Sequence, residues 1–256
     1  DLSEKQLLMQ KLFREFSQQE VKPIAAEIDE LERFPVETVE KMKTIGMLGI
    51  PFESKYGGSD GDNLTYILAV DELAKVCRTT GVILSAHTSL GAKPIYTYGT
   101  EEQKLKYLIP LAKGEKLGAF GLTEPNAGSD AAMQQTVAVK DGEFYRINGS
   151  KIFITNGGYA HTYIIFAMTD KSKGTRGISA FIVDKYMDGF SIGKTEHKRG
   201  IKGSSTTELI FKDMMVPKEN LLGPEGKGFA IAMSTLDGGR IGIAAQALGI
   251  AQGSLD

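Results

Sequence analysis

From residue 1 to about residue 116 the apolar positions recur at helical spacing. Leu8, Leu12 and Phe16 fall at i, i+4 and i+8, behind Ser3 and Gln6, which are spaced as a capping box. Val39, Met42 and Ile45 share one face of a helix expected to follow Pro35 and to stop at Gly46. Val70, Leu73, Ala74 and Cys77 mark a third helix, entered through Tyr56-Gly57-Gly58 and the acidic stretch to Asp62. Thr100 and Gln103 form a second capping box, opening a helix with Leu105, Leu108, Ile109 and Ala112 inward and Gly114 at its end. From Leu117 the pattern changes to short strand-like runs: Phe144 to Ile147, Lys151 to Thr155, Tyr163 to Met168, Ile178 to Val183, Phe190 to Ile192 and Thr207 to Phe211. Asp141-Gly142 marks a turn, and Asn148-Gly149 predicts a hairpin because both residues tolerate positive φ. Helical character returns at Phe229, with Ile231, Leu236, Ile241, Ala245, Leu248 and Ala251 supplying apolar faces.

This order predicts an α+β chain in three parts. Residues 1–116 form an all-helical N-terminal domain. Residues 117–228 form a central antiparallel β domain, either a sandwich or a closed barrel. Residues 229–256 form the first helix of an incomplete C-terminal helical bundle.

Composition narrows the function classes. At 256 residues, 41% hydrophobic and 24% charged, the chain has the make-up of a globular protein able to bury more than one core. A net charge of −2 builds no field to gather nucleic acid or anionic lipid. The longest uncharged stretch, Ile241 to Leu255, is too short to cross a bilayer, and the start carries no signal-peptide pattern. Cys77 is the single cysteine; its neighbours Val70, Leu73 and Ala74 suggest a buried, inert thiol, and the default compartment is cytoplasmic, with a mitochondrial matrix open. His87, His161 and His197 are scattered, so no metal site is expected. The chain opens on Asp1 and stops at Asp256 inside a helical segment, which suggests trimmed ends.

Three stretches could carry chemistry. In Phe120-Gly121-Leu122-Thr123-Glu124-Pro125-Asn126-Ala127-Gly128-Ser129-Asp130 a strand runs into a loop of residues that can expose backbone N–H groups and a hydroxyl to a phosphate, although an ordinary surface turn uses the same residues. In Phe153-Ile154-Thr155 strand alternation puts an aromatic ring and a hydroxyl on one face, as could flank a flavin, although both residues also simply favour strands. In Asp237-Gly238-Gly239-Arg240 a carboxylate and a guanidinium three apart on a helix could reach one ligand or merely each other. The paired glycines weaken a helix and hint at a close approach to its backbone. No G-x-G-x-x-G follows a strand, so a Rossmann site is unsupported.

Taken together and in order, GAFGLTEPNAGSD (Gly118 to Asp130), NGSKIFITNGG (Asn148 to Gly158), GIKGSSTTELIF (Gly200 to Phe211), NLLGPEGKGF (Asn220 to Phe229) and TLDGGRIGIAAQALGIAQ (Thr235 to Gln252) resemble the acyl-CoA dehydrogenase family, within it the short-chain, butyryl-CoA type. The resemblance implies FAD held between the sheet and the last bundle, α,β-dehydrogenation of butyryl-CoA-like thioesters, electron transfer to an electron-transfer flavoprotein, and a homotetramer. It implies cofactor contacts from Phe120, Gly121, Leu122, Thr123, Gly128, Ser129, Phe153, Ile154 and Thr155, and substrate contacts from Ser129, Asp237, Gly238, Gly239 and Arg240. Ser89 and Leu90 fall where the family lines the acyl pocket. The family's catalytic Glu is expected beyond Asp256; the alternative position for a base is Gly239 here, which has no side chain, and Glu124 is expected to be structural. An enoyl-CoA reductase using the same site in reverse, and a non-catalytic flavin- or acyl-CoA-binding fragment, remain alternatives.

Overall fold

A computed structural model describes residues 2–256. The N-terminal part contains α1 (Glu4–Phe16), α2 (Ala25–Glu30), α3 (Val36–Thr44), α4 (Asn63–Val76), α5 (Arg78–Ser85), α6 (Lys93–Tyr98), α7 (Glu101–Gln103) and α8 (Ile109–Ala112). Both capping boxes form: the Ser3 hydroxyl accepts from Gln6 N–H and the Thr100 hydroxyl from Gln103 N–H, with each glutamine side chain returning to the cap backbone. Gly46 ends the α3 segment at φ +67°, a conformation that would strain any residue with a Cβ.

Two of the expected helix faces are turned. On α1 the inward residues are Phe13 and Phe16, with Met9 packed beside them, whereas Leu8 and Leu12 are exposed. Polar contacts set this rotation: Gln10 Nε2 and Arg14 Nη2 both donate to the buried Glu72 carboxylate on α4, at 3.1 and 3.0 Å. In the second case Lys104–Leu108 is π-helical, which shifts the phase, so Tyr107, Leu108 and Leu111 are buried and Leu105 is exposed.

The central part is an eight-stranded sheet of β1 (Gly118–Gly121), β2 (Val137–Asp141), β3 (Phe144–Thr155), β4 (Thr162–Met168), β5 (Ile178–Asp184), β6 (Phe190–Thr195), β7 (Thr206–Pro217) and β8 (Leu221–Leu222). Its order is β6-β7-β3-β2-β4-β5-β8, with β1 also on β4. Pairing is mostly antiparallel, but β1 and β2 both run parallel to β4, so the sheet is mixed. They share one edge of β4: β1 lies along Thr162 to Ile165, and β2 touches only at Met168. The loop 122–136 is the excursion between them.

The sheet folds over on itself as a sandwich. Tyr145, Ile147, Ile154, Leu209 and Phe211 from one half share a core with Tyr163, Ile165, Phe181 and Val183 from the other. The opposite faces of β4 and β5, carrying Ile164, Phe166, Ala180 and Ile182, pack against Ile95, Leu108, Leu111 and Ile231 of the helices. Burial on both faces explains why β4 and β5 read as continuous apolar runs without alternation.

Asn148-Gly149 is not a hairpin turn. The chain runs straight through it inside β3, and the register against β7 slips between Ile147 and Gly149. The partner strand answers with Asp213 at φ +49°, and Asn148 and Asp213 exchange two hydrogen bonds of 3.1 and 2.8 Å. Of the two, Gly149 alone takes a positive φ (+143°), where a Cβ would meet Thr136 at 2.5 Å, and the extra residue of the bulge lies in β7, where Lys212 and Asp213 oppose Asn148. The hairpin forms one turn earlier, at Gly142-Glu143 between β2 and β3.

α9 (Gly228–Leu255) is a single 28-residue helix. It lies against α4 and α5 through small residues: a Cβ at Gly242 would come within 2.6 Å of Ser85 Oγ, one at Gly249 within 2.5 Å of Asp71 O, and one at Gly253 within 2.0 Å of Lys75 O. Ile231 and Ala245 are buried as expected, but Ile241 and Leu248 are exposed, because the glycine stripe faces inward in their place.

Candidate functional site

The loop 122–136 is short of regular structure but firmly held. Glu124 and Ala127 bond each other's backbone across Pro125-Asn126. Below it the register against β7 shifts again, and here the extra residue is in β3: Ile152 and Phe153 oppose Glu208, and Phe153 adopts φ +59°. At this bulge Ile152 N–H leaves the β7 ladder and donates to Thr123 O at 2.8 Å. The bulge thus presents Phe153, which is 59% exposed, beside Thr155. The two share one wall, as expected, but through a left-handed residue and not through simple alternation.

Loop, bulge and α9 enclose a cleft of about 480 Å³. Of the residues singled out in the sequence, Leu90, Phe120, Leu122, Thr123, Gly128, Ser129, Phe153, Ile154, Thr155 and Arg240 line it. Gly121 is buried behind it, where a Cβ would face Ile165 and the Lys151 stem, so only its backbone is available. A second cavity of about 400 Å³ continues past Leu90, Thr155 and Leu236 to Ser85, Ser89 and Gly239. Gly239 keeps it open, since a Cβ there would meet Leu90 Cδ2 at 2.8 Å. Gly238 lines a third, largely apolar cavity of about 250 Å³, which also reaches Ser89 and Tyr66. Asp237 and Arg240 are both exposed and 3.8 Å apart at the outer edge, a weak local pair that leaves the guanidinium free for a ligand.

Glu124 does not face the cleft as a free carboxylate. It is buried on Lys151, whose Nζ lies 2.7 Å from Glu124 Oε1, 2.9 Å from Gln134 Oε1 and 3.2 Å from Leu122 O. Burial pulls the Lys151 ammonium down to about 8, against the attraction of Glu124. Burial pushes the Glu124 carboxyl up, but Lys151 and the N–H groups of Gln135 and Thr136 outweigh it and hold the group below its usual range.

The walls suit a flat heteroaromatic group with a polar edge. Leu122, Ile154, Met233 and Leu236 are apolar, Phe153 offers a ring face, and the hydroxyls of Thr123, Ser129 and Thr155 can bond the rim. Among the described residues no group of three or more His, Cys, Asp or Glu could hold a metal ion.

The family description "Acyl-CoA dehydrogenase, N-terminal domain" matches residues 3–115, and "Acyl-CoA dehydrogenase, middle domain" matches residues 119–214. The short-chain specific acyl-CoA dehydrogenase of Clostridium acetobutylicum is 68% identical over the whole chain, which covers 68% of that protein. The chain belongs to the acyl-CoA dehydrogenase family. Butyryl-CoA dehydrogenase from Megasphaera elsdenii superposes with a TM-score of 0.97 at 54% identity, over 100% of this chain and 68% of that one. A chain of a structure described as the electron transferring flavoprotein of Acidaminococcus fermentans does so with a TM-score of 0.98 at 57% identity, over 100% and 67%. The chain therefore spans about two thirds of the length of these acyl-CoA dehydrogenase relatives.

Several residues that shape the site went unread in the sequence. Ala86, Ala131 and Met233 line the cleft without having been singled out, Phe229 and Leu236 line it but were read only as helix positions, Asp130 lines it at the end of its loop motif, and Lys151, read as part of a strand, underlies it. The one available signal was Lys151, a charge on the face of β3 that carries the buried Tyr145 and Ile147. Asn156, fully buried at φ +63°, ties Ile83 O and Gly118 O to the end of β3 and gave no signal beyond its place in the motif.

Proposed function

We propose that this chain forms the cofactor- and CoA-contacting part of a FAD-dependent short-chain acyl-CoA dehydrogenase acting on butyryl-CoA-like thioesters. The observation that carries the reading is the convergence of three separate stretches, 120–129, 153–155 and the Arg240 turn of α9, on one cleft. Phe120 to Thr123, Gly128, Ser129 and Phe153 to Thr155 hold FAD; Ser129 and Asp237 to Arg240 contact the CoA portion. When bound, FAD supplies the two-electron acceptor for α,β-dehydrogenation. The chain's own work is placement. Leu90, Met233 and Leu236 exclude water, and the Ser129 and Thr155 hydroxyls offer hydrogen bonds where charge develops. The α proton needs a carboxylate. Glu124 is committed to Lys151 and Gly239 has no side chain, so neither supplies it; on the family resemblance the base is assigned to the part of the longer relatives that these residues do not cover. The natural protein then acts as a homotetramer that passes electrons to an electron-transfer flavoprotein in the cytoplasm. The similarity to butyryl-CoA dehydrogenase and to a chain from an electron transferring flavoprotein structure supports substrate and partner.

The test is an anaerobic titration of the natural full-length protein with acetyl- to octanoyl-CoA, followed by visible absorption. The expected result is flavin bleaching that peaks with butyryl-CoA; a peak with octanoyl-CoA refutes the short-chain assignment, and a protein without flavin refutes the cofactor. For residues 1–256 alone, the expected result is a shifted but unbleached flavin spectrum. Bleaching there would place a working base within these residues.

A further inference from the structure

Lys151 is a fully buried lysine in the wall between sheet and cleft, with a side-chain exposure of 0%. Burying an ammonium and a carboxylate together is costly, and a well-packed apolar pair of the same volume usually stabilises a core at least as well. The position of the two charges suggests what they do. Each of the three ammonium N–H groups has a different acceptor: Leu122 O and Glu124 Oε1 at the start of the loop and Gln134 Oε1 at its end. Gln134 in turn donates to Ala131 O at 3.0 Å, and Glu124 accepts from Gln135 and Thr136 N–H. With the Ile152 bond to Thr123 O, every carbonyl named here is already engaged by a donor from the protein. The same loop lines the cleft through Thr123, Gly128 and Ser129.

We propose that the buried Lys151–Glu124 pair is a positioning device that fixes the 122–136 loop in its FAD-binding shape and thereby sets the affinity for the cofactor. The inference rests on the reading of the cleft as a FAD site. Lys151 touches neither cofactor nor substrate; it acts through the loop. Gly121 contributes from behind, because a Cβ there would meet the Lys151 stem at 3.4 Å and Ile165 at 3.2 Å.

The test uses the natural full-length protein, stripped of flavin and titrated with FAD while fold and thermal midpoint are followed separately. Three variants are compared with the parent: Lys151→Met, the charge-free double variant Lys151→Met/Glu124→Gln, and Gln134→Leu, which takes one acceptor without isolating a charge. The expected result is that the double variant regains a thermal midpoint near that of the parent apoprotein while its FAD dissociation constant stays at least tenfold higher. Gln134→Leu should be raised by a smaller factor. A purely structural pair predicts the opposite, with affinity returning together with the midpoint. FAD affinity within about twofold of the parent in both the double variant and Gln134→Leu overturns the inference and leaves the cleft reading intact. A parent that does not bind FAD overturns both.

Discussion

Phe153 carries an exposed aromatic ring on a left-handed backbone, a combination that local energetics disfavours twice. Phe153→Asn tolerates that conformation and loses little buried area, so stability should hold or rise by up to about 1 kcal/mol while FAD affinity falls. Urea denaturation and flavin titration on the same sample would check both halves. His87 shows the reverse economy, being fully buried and fully engaged. Its Nδ1 accepts from Gly118 N–H at 3.0 Å and its Nε2 lies 3.2 Å from Leu111 O, so the ring must be neutral with its proton on Nε2. Protonation would aim a second N–H at Gly118 N–H, and burial depresses the group to about 4. A depressed folded value means that the contribution is complete above the unfolded value near 6.5 and is lost as pH falls towards 4, roughly 3 kcal/mol in all. Urea midpoints at pH 7 and pH 5 should therefore diverge in the parent and much less in His87→Gln.

At the scale of elements, the legible features were those set by local chemistry: caps at Ser3 and Thr100, the stop at Gly46, and the Gly142 turn. The features that stayed hidden depend on a partner. Asn148-Gly149 has the chemistry of a turn, and only the matching bulge at Asp213 makes it a strand. Leu8 and Leu12 form as good a stripe as Met9, Phe13 and Phe16 until the buried Glu72 on α4 chooses between them. The site motifs named most of the cleft's residues, but Met233 and Phe229 read as ordinary helix positions until α9 is laid beside the loop. The glycines of α9 are the clearest case, since the long helix buries its smallest residues and exposes Ile241 and Leu248. Gly249→Ala gains about 1 kcal/mol of helix propensity, yet its Cβ would meet Asp71 O at 2.5 Å and Ala74 Cβ at 2.9 Å. Because the nearest obstacle is backbone, a net loss of about 1–3 kcal/mol is expected, measurable by thermal unfolding.

For the whole molecule, none of the helices among the described residues is long and apolar enough to cross a membrane. α9 nonetheless carries Ile241, Ile243, Leu248 and Leu255 at 52–82% exposure on one element. Residues 1–256 on their own should self-associate with rising concentration in sedimentation velocity, and Ile243→Lys/Leu248→Lys should suppress it. The sandwich half made of β4 and β5 has one face in the sheet core and the other in the helical core, so it is a party wall between neighbours that cannot be taken down from one side. Heating should consequently melt helices and sheet in one calorimetric transition, and a protease cut between residues 112 and 118 should leave the two pieces bound to each other until that transition is reached.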